Sequence, residues 1–458
     1  MYAAYYALMV APRESWGSQL GFILAAIGFS VGLGNIWRFP YLTGENGGGA
    51  FLLIYVALAV LIGVPLFTAE VGLGRLAQTT PLAGMRAIAG DRSPWRVIGW
   101  LGIGAAFLIL AYYQIIMGWI AAHLVQALGP GFAETDPAVI ATAFDGFTGR
   151  PLEVLSYTGA VMVLAGLIVA RGLRQGVERA ARLLIPVLFL SLIALAIVSM
   201  RFPGASAGVV WYLKPDFSAV TGATMLAALG QVFYSIGVGM GAGFVYGSYL
   251  HPERSDVPGA AARIVAADTI AAVLAGLVMF PALFAFGLDP DSGPGLLFVT
   301  MAALFARLPG GDALGGAFFF LVFIAGLTSG LALLEALTST TMESFGWGRR
   351  RALWTTLGTV FLAGIPIALG FGPWAGVELF GRGLFGLADY VSGNLFLTLG
   401  GLALSLYVAT AWGFDRFRET VNVGAGSIRV TRSWGIIMRF VAPIAVALVV
   451  LAGLGLLG

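Results

Sequence analysis

Eleven long apolar runs restrict the possible folds of this chain more than any other feature of its sequence. Each run approaches or exceeds the about 20 residues that a helix needs to cross the hydrocarbon core of a bilayer. The predicted spans, numbered 1 to 11 in chain order, cover residues 17–39, 48–74, 97–127, 152–170, 177–200, 222–250, 261–287, 313–342, 352–371, 385–412 and 434–457. Lipid offers no hydrogen-bond partner to the backbone, so spanning segments must be helices or closed barrels. The sequence therefore predicts an all-α membrane protein whose residues 1–458 form a single domain.

The composition excludes several other classes of protein. Hydrophobic residues make up 59% of the chain and charged residues only 10%, which is far from the composition of a water-soluble domain. Cysteine is absent and there are two histidines, too few for thiolate or histidine metal sites. The sequence shows no Ser/His/Asp set and no phosphate loop, so we do not expect an enzyme. The expected partners are the lipid bilayer and a small solute, with no nucleic acid.

Basic residues are distributed unequally between the two sides of the predicted bundle. With a cytoplasmic N-terminus, eighteen of the 25 basic residues lie in cytoplasmic segments. The outside segments then hold five, namely Arg150, Arg201, Lys214, Arg307 and Arg382. Basic residues favour the cytoplasmic side of membrane proteins. We therefore predict a multi-pass protein of the plasma (inner) membrane with its N-terminus in the cytoplasm and its C-terminus outside.

Spans 1 and 6 carry glycine-rich sequence where the membrane centre should be. Residues 28–35 read GFSVGLGN, and residues 237–243 read GVGMGAG. One such run commonly indicates close packing of helices through small residues. Two runs that open successive groups of five spans, with opposite orientations, are typical of inverted-repeat transporters. We interpret residues 17–200 and 222–412 as two five-helix repeats with broken helices 1 and 6, and residues 434–457 as an additional helix.

An interrupted helix exposes backbone groups that an intact helix bonds to itself. The amides at the N-terminus of a half-helix attract an anionic group such as a carboxylate. The freed carbonyl groups offer hard oxygen ligands to a cation. The two breaks therefore predict a site at the membrane centre for a small solute together with a cation.

Several motifs identify a family that this chain resembles. The most specific are RESW at residues 13–16, GLGNIWRFP at 32–40 and ENGGGAF at 45–51. Further matches are Tyr112-Tyr113, the segment 231–243, AGLTS at 325–329, and Asp389. On these residues the chain resembles the neurotransmitter:sodium symporters, whose bacterial members carry amino acids. The resemblance covers all eleven spans and implies the LeuT-type fold. Many members have a twelfth span, whereas this chain stops at eleven, as some bacterial members do.

The resemblance implies two sodium sites. The first would use the carbonyl of Ser30, the side chain of Asn35, both oxygens of Ser235, and Asp268, and the substrate carboxylate would complete it. The second would use the carbonyls of Gly28, Val31 and Ala325 and the hydroxyls of Thr328 and Ser329. Taken alone, Thr328 and Ser329 would more often bond back to their own helix.

The resemblance also implies the class of substrate. Amine-transporting relatives carry an aspartate where this chain has Gly32, so a ligand with its own carboxylate is favoured. Its carboxylate would meet the amides of Leu33 and Gly34 and the hydroxyl of Tyr113, and its ammonium the carbonyls near Ser30 and Tyr234. Ile109, Met240, Ser329 and Leu333 would surround its side chain, with space at Gly237 and Gly330. This pocket suggests a hydrophobic, bulky or aromatic L-amino acid. Ordinary core packing is the alternative for Ile109, Met240 and Leu333.

Charged residues and helix-weakening residues suggest how access to the site is controlled. Arg38 and Asp389 resemble the external gate of the family, and Arg13, Trp16 and Glu343 the internal gate. Gly176 and Pro186, with nine residues between them, would let the inner half of span 5 unwind, although a simple kink is the alternative. We expect Glu70 to hold the unwound part of span 6 and assign Glu335 no role.

Chloride, which many animal members of the family require, is expected to be dispensable here. Tyr55, Gln231 and Ser235 match the chloride ligands of the family, but Ala272 stands in place of a serine. Asp268 lies one helical turn earlier and supplies a fixed negative charge. A slip of one residue in span 7 would instead place Ala267 there.

A sodium-dependent receptor that keeps the site without transport is the alternative function.

Overall fold

The computed structural model describes residues 14–290 and 296–453, together with Leu456. Within these residues nine helices are long and apolar enough to cross a membrane, and the bent pair of span 1 makes a tenth. Span 6 consists of two shorter helices that follow one another in the chain, and it brings the number of spans to eleven. The prediction of an all-α membrane protein is therefore confirmed. Arg13, predicted as part of an inner gate, lies outside the described residues.

The first five spans contain both regular helix and single π-helical turns. Their bounds are Gln19–Ser30, Gly34–Arg38 and Phe39–Glu45 for span 1; Gly49–Leu58, Ala59–Gly63 and Val64–Ala77 for span 2; Val97–Leu128 for span 3; Pro151–Val169 for span 4; and Leu173–Glu178 and Arg179–Met200 for span 5. Span 5 thus begins at Leu173, four residues before its predicted start at 177.

The remaining spans follow the same pattern. Their bounds are Gly222–Ile236 and Ala242–Ser248 for span 6; Val257–Ala285 for span 7; Gly311–Phe345 for span 8; Arg349–Leu369 for span 9; Leu384–Asp389, Tyr390–Leu397 and Thr398–Ala409 for span 10; and Trp434–Ile436, Ile437–Val441 and Ala442–Gly453 for span 11. Short elements connect them: helices Pro81–Ala89, Pro94–Arg96, Pro137–Thr148, Ala205–Leu213, Phe217–Ala219, Thr300–Arg307 and Phe414–Asn422, and a hairpin of Glu378–Leu379 with Arg382–Gly383.

The glycine-rich runs break spans 1 and 6, as the sequence predicts. The two halves of span 1 meet at an angle of 45°, and Val31 at the break has extended backbone. In span 6, Gly237, Gly239 and Gly241 have φ angles of 74°, 85° and 70°. A residue with a Cβ would be strained in this left-handed region by roughly 1–2 kcal/mol. Glycine at every second position therefore ends one half-helix and starts the next.

The broken spans lie at the centre of the bundle. The two longest helices, spans 3 and 8, pack against each other, and span 8 also contacts the inner half of span 1. The second half of span 6 packs against Val64–Ala77 of span 2. Glycines allow this last approach, since a Cβ at Gly74 would overlap the carbonyl oxygen of Phe244, and one at Gly247 that of Val71.

The order of the spans defines two sides of the molecule, which we use below. The outer side carries the connections that contain Arg150, Lys214, Arg307 and Arg382. The inner side carries the connections that contain Arg86, Arg171 and Arg254, among others. The names follow the predicted orientation of the chain, which stays a prediction.

The close contact between spans 2 and 6 can be tested at Gly74. We expect Gly74→Ala to lower the melting temperature of the purified protein in detergent. Overpacking of a tight contact costs about 1–3 kcal/mol, whereas alanine gains only about 1 kcal/mol in helix propensity. Gly358→Ala in span 9 is the matched control, because nothing lies within 4 Å of the position of its Cβ. Equal melting temperatures for the two variants would contradict the packing described.

Candidate substrate and ion site

The breaks of spans 1 and 6 face each other and are tied down by buried polar side chains. Gln231 of span 6 donates from Nε2 to the carbonyl of Gly34 at 2.7 Å. Glu70 of span 2 accepts the amide of Gly239 at 2.7 Å. This confirms the role predicted for Glu70. Both side chains satisfy backbone groups that the breaks release in a region without bulk water.

An oxygen-rich cluster joins spans 1, 6 and 7 at the break of span 1. Asn35 donates from Nδ2 to Oδ1 of Asp268 at 2.8 Å and to Oγ of Ser235 at 3.0 Å. Ser235 lies 3.0 Å from both carboxylate oxygens, and Tyr55 donates to Oδ2 at 2.9 Å. Asp268 is fully buried, whereas Ala267 is partly exposed. The register of span 7 therefore places Asp268 in the cluster and excludes the slip to Ala267.

Three of the residues predicted for the first sodium site meet in this cluster, and their donor atoms suit a hard cation. The carboxamide oxygen of Asn35 accepts the amide of Gly32 at 3.1 Å. To coordinate an ion with that oxygen, Asn35 would turn its carboxamide over. The hydroxyl of Ser30 bonds back to Ala26 at 3.1 Å, so its carbonyl is the remaining candidate ligand. Oxygen-only ligands with one carboxylate are what such a cation prefers.

A second cluster brings together the five residues predicted for the other sodium site. Ser329 donates from Oγ to the carbonyl of Gly28 at 3.0 Å and lies 3.5 Å from that of Val31 and 3.3 Å from that of Ala325. Thr328 lies 3.0 Å from the carbonyl of Ala325. Thr328 bonds back to its own helix, which was the alternative reading, whereas Ser329 also bridges to span 1. The cluster is again made only of oxygen atoms.

Tyr113 of span 3 and Ser329 of span 8 both approach Gly32 at the break of span 1. The Tyr113 hydroxyl is buried and has no hydrogen-bond partner among the described residues. It lies 3.2 Å from the position that a Cβ of Gly32 would take, and Ser329 blocks the same position. Leu33 and Gly34 begin the outer half of span 1, where the first amides of a helix lack partners within it. Ile109, Met240 and Leu333 are buried in spans 3, 6 and 8.

The space predicted beside Gly237 is not available, which corrects one sequence-based expectation. A Cβ at Gly237 would overlap the ring of Phe29, with Cε1 at 2.6 Å. Glycine at this position therefore serves the backbone turn and accommodates Phe29 rather than a ligand. Beside Gly330, the space is limited by Gln114, whose Nε2 lies 3.1 Å from the Cβ position. Gln114 is 4% exposed, and its Oε1 has no partner among the described residues.

A vestibule of about 270 Å³ lies on the outer side of the breaks and contains both predicted outer gate residues. Its lining consists of Trp37, Arg38, Tyr41, Tyr112, Trp119, Phe144, Tyr234, Phe298, Phe371, Phe385 and Asp389. Arg38 donates to Oε1 of Gln231 at 2.7 Å and lies 4.8 Å from the ring centroid of Tyr234. Within the described residues, Arg38 and Asp389 do not form an ion pair. The gate residues thus face one cavity without closing it.

The inner side of the breaks is closed. Trp16 donates from Nε1 to the carbonyl of Tyr246 at 2.9 Å and is 8% exposed. Glu343 accepts the amide of Thr80 at 3.0 Å and the hydroxyl of Thr79. Trp16 and Glu343 therefore connect the chain before span 1 and the end of span 8 to neighbouring elements.

Further inner contacts involve residues that could not be assigned a role from the sequence alone. Glu335 pairs with Arg349 at 2.7 Å and accepts the hydroxyl of Tyr249 at 2.7 Å. Arg349 also pairs with Glu14 at 3.0 Å. Glu178 of span 5 accepts the amide of Gly17 at 2.7 Å. The signal for these residues was present in the sequence, since carboxylates at the ends of apolar spans need partners.

The inner end of span 5 is wound in this structure. Leu173–Glu178 forms a π-helical turn that continues into Arg179–Met200, with Pro186 inside the helix. Gly176 packs tightly against the carbonyl of Ile168. Unwinding between Gly176 and Pro186 stays a prediction about another conformation.

Eleven spans with two facing breaks, and oxygen-rich clusters beside the break of span 1, define an inverted-repeat membrane transporter. The chain belongs to the sodium:neurotransmitter symporter family, whose model matches residues 13–135 and 153–456. The relationship predicted from the sequence motifs is therefore confirmed.

Known proteins that match this chain over nearly its whole length support this assignment. The uncharacterised sodium-dependent transporter YhdH of Bacillus subtilis is 36% identical over 96% of this chain and 98% of its own length. The uncharacterised sodium-dependent transporter MJ1319 of Methanocaldococcus jannaschii is 32% identical over 96% of this chain and 90% of its own. The crystal structure of MhsT in complex with L-phenylalanine matches with a TM-score of 0.88 and 39% identity over 96% of this chain and 100% of that one. The LeuT-type fold is thereby confirmed.

The close contact between Gly237 and the ring of Phe29 can be tested by a double-mutant cycle. We expect Gly237→Ala to destabilise the protein, because alanine is strained at this φ and overlaps Phe29. Phe29→Leu should relieve the overlap but not the strain, so the double variant should recover part of the lost melting temperature. Additive losses would show that the Phe29 ring does not fill this space.

Proposed function

We propose that this protein is a sodium-coupled symporter of a hydrophobic, bulky or aromatic L-amino acid and works by alternating access. The observation that carries the proposal is the buried Tyr113 hydroxyl beside Gly32, at the break of span 1 and next to both oxygen-rich clusters. The likeness to MhsT, whose crystal structure holds L-phenylalanine, supports the substrate class. The charge distribution of the chain supports a plasma-membrane protein with its N-terminus in the cytoplasm.

The substrate carboxylate would lie at the start of the outer half of span 1. There the first amides of the half-helix, those of Leu33 and Gly34, and the buried hydroxyl of Tyr113 would supply three donors. Gly32 brings no carboxylate of its own, whereas the amine transporters of the family carry a fixed aspartate at this position. Ile109, Met240, Ser329 and Leu333 would contact the substrate side chain, and Tyr234 would cover it from the vestibule.

Two sodium ions would accompany the substrate. The first would sit among Ser30, Asn35, Ser235 and Asp268, and the substrate carboxylate would complete its ligands. Asn35 would couple ion binding to substrate binding. Its carboxamide oxygen accepts the amide of Gly32, and its Nδ2 donates to Asp268. A rearrangement of Asn35 around an ion would therefore shift the backbone at Gly32, beside the substrate. The second ion would sit among Gly28, Val31, Ala325, Thr328 and Ser329, and join span 1 to span 8.

Alternating access would exchange the open outer vestibule for an opening on the inner side. Closure outside would bring Arg38 and Asp389 together across the vestibule that both now line. Opening inside would release Trp16 from Tyr246 and unwind span 5 between Gly176 and Pro186. The second sodium site lies on the inner part of span 1, so a water path beside span 5 would reach it first.

The second sodium site can be tested with Thr328→Ala combined with Ser329→Ala. This change removes both hydroxyl ligands and the bridge from Ser329 to Gly28, so we expect sodium-driven uptake to fall by at least about tenfold. Uptake of the labelled amino acid into proteoliposomes with an inward sodium gradient measures it. Thr341→Ala, whose hydroxyl bonds back within span 8 near the inner end, is the matched control. Full uptake by the double variant would refute the site as described.

A sodium-dependent receptor without transport is separated from a symporter by counterflow. Proteoliposomes loaded with each of the common amino acids in turn should accumulate labelled substrate only when the internal amino acid is itself carried. We expect the bulky hydrophobic and aromatic L-amino acids to give the largest signals. Sodium-dependent binding without counterflow for any of them would favour the receptor.

Chloride independence follows from the groups that surround Asp268. Tyr55 and Ser235, which match chloride ligands of the family, already bond to this carboxylate. Gln231 is engaged by Gly34 and Arg38. Ala272 contributes no hydroxyl. A carboxylate fixed in the chain would therefore neutralise the sodium ion in place of an added anion, since unpaired charge is costly in a bilayer.

This substitution predicts that a chloride requirement can be introduced. Native transport should be equal in chloride and gluconate media. Asp268→Asn with Ala272→Ser removes the fixed charge and restores the missing hydroxyl, so its transport should depend on chloride. Ala272→Ser alone should remain chloride-independent and serves as the control. Strict chloride dependence of the native protein would refute the role given to Asp268.

A further inference from the structure

A second cavity, separate from the vestibule, opens on the outer side of the molecule. It has a volume of about 400 Å³, within the range of small-molecule sites. It lies between the outer end of span 3, the helix Pro137–Thr148, and the start of span 4. None of the residues assigned above to substrate, ions or gates lines it, so it lies off the proposed transport route.

The cavity combines an aromatic wall with a buried histidine. Its rings are those of Phe132, Phe144, Phe147 and Tyr157, and His123 lies beside them. His123 is 8% exposed, and its Nδ1 lies 2.8 Å from the carbonyl of Trp119. A carbonyl only accepts, so Nδ1 must donate, and Nε2 of the neutral ring is an acceptor. Among the described residues, no donor reaches Nε2. The cavity therefore holds an unused acceptor.

The charged groups of the lining favour a cation. Glu134 and Glu153 contribute two carboxylates, and Arg150 is the cation among the lining residues. Arg150 is already paired with Glu153 at 2.7 Å, so its charge is compensated within the lining. Glu134 is left with backbone amides only, those of Thr135 and Asp136. The lining as a whole carries an excess of negative charge.

We propose that this cavity binds small organic amines with an aromatic or apolar body. The body would stack on the four rings, and the protonated amine would meet the carboxylates, the imidazole Nε2 and the faces of the rings. An amine differs from the proposed transport substrates because it has no carboxylate, for which the cavity offers no uncompensated cation. The proposal does not depend on the transport function.

One ring separates this cavity from the vestibule. Phe144 lines both. It stacks on Phe298 with ring centroids 5.0 Å apart and an interplanar angle of 9°, and meets Trp119 edge-on at 5.4 Å. Phe298 and Trp119 belong to the vestibule wall. A ligand in the outer cavity would therefore contact the back of that wall.

Binding of phenethylamine to the purified full-length protein tests the proposal. Calorimetric titration should show binding, whereas 3-phenylpropionate, which replaces the amine by a carboxylate, should not bind detectably. Ala143→Trp fills the cavity from the helix Pro137–Thr148 and should weaken phenethylamine binding by at least about tenfold. Ala138→Trp is the matched control, since Ala138 is exposed on the same helix but does not line the cavity.

A second variant keeps the test decisive if Ala143→Trp folds poorly. Glu134→Gln with Glu153→Gln removes the carboxylates without adding bulk. It should weaken phenethylamine binding about tenfold and leave binding of neutral 2-phenylethanol unchanged. Equal binding of the amine and the acid, or native binding of phenethylamine by Ala143→Trp, would overturn the proposal.

Discussion

The structure depends on one constraint: backbone groups released inside a membrane must find partners within the protein. The two breaks release such groups at the centre of the bundle. Glu70 accepts a hydrogen bond from the amide of Gly239. Gln231 donates to the carbonyl of Gly34, and Ser329 donates to the carbonyl of Gly28. Each partner comes from a different part of the chain. The breaks are therefore stable only within the complete bundle, which explains why they lie at its centre.

The same constraint produces the chemistry of the candidate site. Groups that cannot be fully satisfied by the chain are available to a solute, as the Tyr113 hydroxyl is. Asp268 is fully buried with hydrogen-bond donors around it, but among the described residues it has no cationic partner within 4 Å. A buried carboxylate without a counter-ion is costly, and a bound cation would remove much of that cost. The buried groups that stabilise the fold at this site are therefore the same groups that would bind the ion.

Much of this architecture could be predicted from the sequence because it depends on local pattern. Apolar runs gave the spans, and glycine at alternate positions gave the breaks. The grouping of Asn35, Ser235 and Asp268 was available only through family resemblance, since nothing local brings residues of spans 1, 6 and 7 together. The ring of Phe29 in the space beside Gly237 depends on side-chain packing between spans and was predicted wrongly. The start of span 5 was placed too late because Arg174, Gln175 and Gly176 lower the apolar character of its first turn.

Arg174 and Glu178 form hydrogen bonds with the chain before span 1, and this links the inner closure to span 5. Glu178 accepts the amide of Gly17, and Arg174 donates to the carbonyl of Ser15 at 2.7 Å. Glu14 accepts the amide of Leu173 at 2.6 Å. These three partners on span 5 lie in the turn Leu173–Glu178, and Arg182, one turn further on, donates to the hydroxyl of Ser18 at 2.9 Å. If that turn unwinds, the geometry that holds the start of span 1 is lost with it, and if the start of span 1 moves away, Glu178 loses a backbone partner. The two movements therefore share one set of contacts, and each lowers the free-energy cost of the other.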